Sequence, residues 1–146
     1  MVMSVALVGA WESGFSYPLL EAEHWRYLVQ GWGVSDWVMT PITGILAPHL
    51  REVTHLNEEV DSLAQTHRIV FVDEHGQSSL TEYEHPENAC YVFGRVGFSP
   101  YTAWKDVYEH DSVVIPGELT PGLLWSHQAA AIILYDRELK RGGNGN

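Results

Sequence analysis

Cysteine is nearly absent from this sequence, and long apolar runs are missing altogether. The one cysteine among 146 residues is Cys90; it excludes an internal disulfide, and its apolar neighbours predict a small buried side chain. No apolar run approaches the roughly 20 residues that a membrane-spanning helix needs. The first eight residues lack the basic and long apolar regions of a signal peptide. These absences predict a cytoplasmic protein with no membrane contact.

Basic residues are also scarce. Eight Lys and Arg stand against nineteen Asp and Glu, which gives a net charge of −11 with histidine neutral. Because Lys and Arg carry most phosphate binding, we expect neither DNA binding nor an extended RNA-binding surface. Local basic positions at Arg26, at Arg95 and near Arg137 would serve a limited contact with RNA.

Motifs for metals and for common cofactors are missing. The eight histidines are scattered, with no HxxxH pair and no cysteine pair beside a histidine, so we expect no metal site. The sequence also lacks a GxGxxG motif, a phosphate-binding loop and a nucleophile elbow. The fold and the function must therefore be predicted mainly from the order of the secondary-structure elements.

Apolar strands alternate with helices along the chain. Apolar residues make up 45% of it, with six Trp and seven Tyr, which is typical of a folded protein, and the length fits one domain over residues 1–146. The alternation predicts an α/β fold with a parallel sheet covered by helices on both faces. The predicted strands are residues 2–8, 36–40, 68–72, 89–93 and 113–115, and the predicted helices are residues 18–30, 53–65, 99–108 and 121–142.

Three motifs in the second half of the chain follow one another in a specific order. One strand ends at Phe93-Gly94, the next ends at Ile115-Pro116, and an apolar helix then runs to Tyr135-Asp136. The Phe-Gly pair precedes the Ile-Pro pair by 22 residues, and Trp125 follows ten residues later. This order and spacing resemble the SPOUT (SpoU/TrmD-like) methyltransferases, in particular the small single-domain tRNA enzymes.

The resemblance implies a fold, a cofactor and an assembly. It implies a C-terminal trefoil knot, S-adenosylmethionine as cofactor, methylation of RNA with tRNA as the substrate class, and a homodimer formed by the first and last helices. The family holds its cofactor largely through backbone groups of three loops. The corresponding cofactor-binding positions in this sequence are Val72, Gly94, Ile115 and Leu123.

The positions that carry catalysis in the family are changed in this chain. Leu19 replaces an asparagine at the start of the first helix, Val96 replaces a glutamate after the Phe-Gly pair, and Trp125 replaces the asparagine of the last loop. The changes leave two hypotheses open. The chain is either an S-adenosylmethionine-dependent RNA methyltransferase with substitute residues, or a non-catalytic SPOUT-like module that acts through protein contacts.

The candidate substitutes are two residues of the first helix and one of the last loop. Arg26 and Tyr27 lie near the position where the family brings an arginine toward the methyl group, and Glu118 follows Ile115-Pro116 and could act as a general base. With the last helix starting near residue 121, Trp125 would lie one turn inside it and face either the pocket or the dimer seam. The apolar side chains expected to form the exposed dimer patch are Trp25, Leu28, Leu124, Trp125 and Leu134.

Overall fold

A computed structural model describes residues 4–12, 18–117 and 124–142. The strands are β1 (Val5–Ala10), β2 (Asp36–Thr40), β3 (Leu50–Glu52), β4 (Arg68–Val72), β5 (Ser78–Ser79), β6 (Ala89–Phe93) and β7 (His110–Val114). The helices are α1 (Pro18–Gly31), α2 (Leu56–Leu63), α3 (Pro100–Trp104) and α4 (Ser126–Arg137), which continues into a π-helical turn at Glu138–Gly142.

The described strands form one parallel sheet in the order β3-β2-β1-β6-β4-β7-β5. Every residue of β1 and β6 is buried, because central parallel strands are covered on both faces and therefore read as continuous apolar runs. Helices α1 and α4 cover one face and pack on each other there. Helices α2 and α3 cover the other face. The core under α1 and α4 includes Leu7, Trp25, Trp37, Tyr91 and Ile133. The core under α2 and α3 includes Val8, Val60, Phe71, Val92 and Tyr101.

The predicted α/β class with a parallel sheet is confirmed, and all five predicted strands are present. The short strands β3 and β5 were not predicted, because they have three and two residues and carry little apolar sequence. The predicted start of the last helix near residue 121 is wrong, since Leu124 and Trp125 are not helical and α4 begins at Ser126. The predicted knot depends on residues 118–123, which lie outside the described residues, so the knot stays a prediction.

Two of the apolar residues expected on an exposed patch belong to the core instead. Trp25 and Leu134 are buried between their helices and the sheet, while Leu28 and Leu124 are partly buried against the same core. The interpretation of Trp25 and Leu134 as exposed is therefore wrong. The apolar side chains that α1 and α4 do expose are Leu19, Leu20, Tyr27, Ile132 and Tyr135.

Membrane insertion through a helix finds no support in the part of the chain that the structure describes. None of its helices is both long enough and apolar enough to cross a bilayer.

Candidate functional site

A cavity of about 860 Å³ opens at the edge of the sheet where the central strands end. Ligands of open α/β sheets bind beyond the carboxyl ends of the strands, and this volume lies in the usual range for small-molecule sites. Segments after β1, β4, β6 and β7 line the cavity together with the start of α4. The lining residues are Glu12, residues 72–74, residues 93–99, Thr102, Ala103, Ile115, residues 124–126 and Ala129.

The loop after β6 folds back on itself to form one wall of the cavity. Arg95 and Phe98 exchange backbone hydrogen bonds of 3.0 and 2.9 Å across a tight turn, in which Gly97 has a φ of +83°. That φ favours glycine. A Cβ atom on Gly94 would lie 2.6 Å from the Phe98 carbonyl oxygen, so the Phe-Gly motif needs its glycine to let the loop return. The exposed Val96 lies at the tip of this turn.

A buried carboxylate ties the end of β1 to that turn. Glu12 is 5% exposed, and its Oε2 accepts a hydrogen bond from the Val96 N–H at 3.1 Å. The backbone N–H of Glu12 donates in turn to both carboxylate oxygens of Glu21, at 2.9 and 3.2 Å. The indole Nε1 of Trp25 donates to Glu21 Oε2 at 3.3 Å. A chain of hydrogen bonds therefore runs from α1 to the wall of the cavity.

Glu21 is more deeply buried than Glu12. Burial raises its pKa above the ordinary value, and the nearby charge of Glu12 acts in the same direction. The hydrogen bonds from the Glu12 N–H and from Trp25 oppose the rise, because they stabilise the ionised form.

A second set of hydrogen bonds holds the loop after β4 against α3. The Ser99 hydroxyl donates to Asp73 Oδ2 at 2.7 Å and accepts from the Thr102 N–H at 3.2 Å, so Ser99 caps the helix. Asp73 Oδ1 accepts from the His75 N–H at 2.9 Å. These bonds hold the β4 side of the cavity, whereas Glu12 follows β1, and β6 lies between the two strands. Both carboxylate oxygens of Asp73 therefore accept hydrogen bonds from the protein itself.

The start of α4 supplies an aromatic ring and an unsatisfied hydroxyl. Trp125 occupies the N-cap position, and its backbone N–H donates to Gln128 Oε1 at 2.8 Å. Ser126 is 5% exposed and lines the cavity, and its Oγ has no hydrogen-bond partner among the described residues. A buried hydroxyl without a partner is costly in a folded protein. It therefore marks a place where a ligand could supply the missing bond.

The structure brings together three of the four predicted cofactor-binding positions. Val72, Gly94 and Ile115 line the cavity, whereas Leu123 lies outside the described residues. The cavity also includes Glu12 and Ser126, which the sequence prediction missed. An acidic residue two positions after a fully apolar strand was a signal for Glu12, but the hydrogen bond to its carboxylate comes from Val96, 84 residues away.

The predicted catalytic residues do not gather around the cavity in the described part of the chain. Arg26 binds Glu23 on the same helix, with 2.5 Å between Arg26 Nη2 and Glu23 Oε2, and its guanidinium lies 5.0 Å from the centre of the Tyr27 ring. Tyr27 is 64% exposed. Neither residue belongs to the cavity lining, and Glu118 lies outside the described residues.

Among residues 4–12, 18–117 and 124–142, no group of three or more His, Cys, Asp or Glu side chains is arranged to hold a metal ion.

The solved structures that share this architecture include RNA-modifying enzymes. The chain matches the A. aeolicus TrmH/SpoU tRNA modifying enzyme with a TM-score of 0.76 and 15% identity, covering 99% of this chain and 78% of that one. It matches a structure concerned with 2-OH methylation of C/U34 on tRNA with a TM-score of 0.75 and 16% identity, covering 97% and 99%. The chain has the SpoU methyltransferase fold. No protein-family model and no curated protein sequence matches it significantly.

One structure with the SpoU fold contains the cofactor. The SpoU methyltransferase AviRb from Streptomyces viridochromogenes, solved in complex with AdoMet, matches with a TM-score of 0.73 and 16% identity, covering 94% of this chain and 58% of that one. At such identities the likeness establishes the fold.

Proposed function

We propose that this protein binds S-adenosylmethionine in the cavity and acts as a SpoU-type RNA methyltransferase, with tRNA as the substrate class. The observation that carries the proposal is the position of the cavity at the carboxyl ends of β4, β6 and β7, in a fold shared with an AdoMet-bound methyltransferase. The predicted positions Val72, Gly94 and Ile115 lie together at this edge.

The residues present fit such a cofactor. The cavity has room for a molecule of this size, and the unsatisfied Ser126 Oγ offers a hydrogen bond to a polar ligand. Backbone groups of Val72, Gly94 and Ile115 would hold the adenosine and amino-acid parts, and Trp125 would exclude water. The bound cofactor would supply an electrophilic methyl group for a nucleophilic atom of the substrate.

Among the three proposed catalytic residues, Glu118 is the proposed proton acceptor, because the Arg26 guanidinium stays protonated. Glu118 follows Ile115 by three positions in the sequence, so it is the candidate closest to the cavity along the chain. Arg26 and Tyr27 lie on the exposed side of α1. They would act only on a substrate that lies along that helix.

The second candidate function is a non-catalytic SPOUT-like module, and the state of the basic side chains favours it. Arg51 and Arg68 are paired with Glu59 and Asp111, and Lys140 is paired with Asp136. The guanidinium of Arg137 donates to backbone carbonyl groups. Because phosphate binding needs available Lys and Arg, this arrangement supports at most a narrow RNA contact.

Calorimetry followed by a transfer assay separates the two candidates. Titration with S-adenosylmethionine and S-adenosylhomocysteine should release or absorb heat at one site per chain, and labelled methyl groups should then pass to bulk tRNA. Binding without transfer to RNA would support the non-catalytic module. Absence of both binding and transfer would contradict the proposed cofactor.

We also propose a cytoplasmic homodimer that buries the outer faces of α1 and α4. Leu20 and Tyr27 on α1 and Ile132 and Tyr135 on α4 are exposed apolar side chains on two helices that pack together. Exposed apolar side chains on paired helices are a common site of self-association.

A further inference from the structure

The described lining of the cavity is acidic. It contains the carboxylates of Glu12, Asp73 and Glu74 and one basic side chain, Arg95. Asp73 accepts hydrogen bonds from Ser99 and His75, and the Glu74 side chain is 50% exposed. Glu12 is therefore the one of the three acids that combines deep burial with a position at the end of a central strand.

The Glu12 carboxylate is held in place from two directions. Its side chain accepts the Val96 N–H from the turn after β6, and its backbone N–H is fixed by Glu21. A side chain restrained in this way needs no reordering when a ligand arrives, which lowers the cost of binding. Its charge also acts through a medium of lower dielectric constant than water, so its effect on a nearby charge is stronger than that of an exposed acid.

We propose that Glu12 makes the cavity select a cationic ligand over its neutral analogue. The inference rests on the proposed function and names its consequence for the cofactor. S-Adenosylmethionine carries a positive sulfonium, whereas S-adenosylhomocysteine has an uncharged thioether and the same adenosine, amino and carboxylate groups. Glu12 stabilises the sulfonium and not the thioether, so it is a specificity-determining residue that favours cofactor over product.

The effect of the Glu12 charge can be isolated by comparing the affinities for the two ligands in the wild-type protein and in one isosteric variant. Glu12→Gln keeps an oxygen that can accept the Val96 N–H and removes the negative charge. In calorimetry, we expect wild-type protein to bind S-adenosylmethionine about tenfold more tightly than S-adenosylhomocysteine. In Glu12→Gln the affinity for S-adenosylmethionine should fall about tenfold, while the affinity for S-adenosylhomocysteine stays within about twofold.

Glu74→Gln is the matched control, because it removes a charge from the same cavity lining at an exposed position. Solvent and salt screen exposed charges, so the ratio of the two affinities should change less than about twofold in this variant. Raising the salt concentration to about 0.5 M should likewise leave most of the wild-type preference in place, since burial protects Glu12 from screening.

Each outcome bears on a different statement. A ratio of affinities near one in the wild-type protein overturns the inference without any variant, and so does an equal loss of both affinities in Glu12→Gln. Binding of the neutral product in Glu12→Gln shows in the same experiment that the cavity is intact. If neither ligand binds the wild-type protein, the proposed function itself fails, and the inference fails with it.

Discussion

His85 and Asp136 are joined by a hydrogen bond across 51 positions of the sequence, with 2.7 Å between His85 Nε2 and Asp136 Oδ2. The other ring nitrogen, Nδ1, lies 2.7 Å from the Tyr91 hydroxyl. His85 is fully buried, and burial lowers its pKa more strongly than Asp136 raises it. A neutral imidazole therefore links the connector before β6 to α4.

Replacing this imidazole should destabilise the protein strongly. In His85→Ala the buried Tyr91 hydroxyl loses a hydrogen-bond partner and a cavity is left, so the free energy of unfolding should fall by about 2–4 kcal/mol. Urea unfolding followed by circular dichroism measures the change. His75→Ala is the control, since that ring is exposed, and its effect should stay within about 0.5 kcal/mol. Equal stability of the two variants would contradict a structural role for His85.

The histidine pair between α1 and α4 should make stability fall in mild acid. The rings of His24 and His127 are stacked with 4.8 Å between their centres. Burial, followed by the charge of His24, lowers the pKa of His127 to about 4. The folded state thus favours the neutral ring. The contribution of this neutral ring to the free energy of unfolding is complete above the ordinary histidine pKa of about 6.5. It is lost as the pH falls from there toward 4.

Unfolding experiments at pH 7 and pH 5 test this titration. The wild-type protein should lose about 1–2 kcal/mol between the two values, and the buried neutral His85 should add to the loss. His127→Phe keeps an aromatic ring at the helix contact and removes one titrating group, so its loss should be smaller by about 1 kcal/mol. An unchanged pH dependence in His127→Phe would assign the effect to other groups.

The sequence predicted the parts of this fold that depend on local apolar patterns. The buried strands β4 and β6 were placed at their observed bounds, because each is a continuous apolar run that ends at a polar residue or a glycine. The start of α4 was misplaced because Thr120-Pro121 has the pattern of a helix start, whereas α4 begins at Ser126. The backbone of Trp125, with φ −62° and ψ 151°, is extended. Nothing local in the sequence indicates this.

Of the cavity lining, only the backbone positions at the strand ends could be predicted from the sequence. Strand ends meet at one edge of any parallel sheet, so Val72, Gly94 and Ile115 could be placed from the order of the elements. The polar side chains Glu12 and Ser126 could not, because their burial arises from segments far away in the sequence. The same reason applies to Trp25, which is buried because it packs on Trp37 of β2 and Phe93 of β6.

The hydroxyl of Ser126 should matter for ligand binding and not for folding. In Ser126→Ala the protein loses no internal hydrogen bond among the described residues, so its stability should stay the same or rise slightly. Affinity for S-adenosylmethionine and S-adenosylhomocysteine should fall together by about five- to tenfold. Thermal unfolding and calorimetry give the two quantities.

Ser112→Ala is the matched control for this substitution. Ser112 is also buried, but its Oγ accepts the Gln77 N–H at 2.9 Å. Its loss should lower the free energy of unfolding by about 1 kcal/mol and leave both ligand affinities unchanged. If Ser126→Ala behaves like Ser112→Ala, the Ser126 hydroxyl has a structural role and does not contact the ligand.

The proposed dimer should depend on the exposed tyrosines of α1 and α4. Light scattering at micromolar concentration should give twice the chain mass of 16.5 kDa. Tyr27→Glu combined with Tyr135→Glu should give the single-chain mass, because each chain would bury two charges without partners at the interface. Val107→Glu introduces a charge at an exposed apolar position outside these helices and should leave the mass unchanged. A wild-type mass of 16.5 kDa would contradict the dimer.

Trp125 should report ligand binding through its fluorescence. Trp125 lines the cavity at the N-cap of α4, so a bound ligand would change the polarity around the indole and could stack on it. The intrinsic fluorescence should shift on addition of S-adenosylhomocysteine, and Trp125→Phe should remove most of the change although five other tryptophans remain. Trp125→Asn should also enlarge the cavity and change the affinity. A full fluorescence change in Trp125→Phe, with unaltered affinity in Trp125→Asn, would place the ligand away from this side chain.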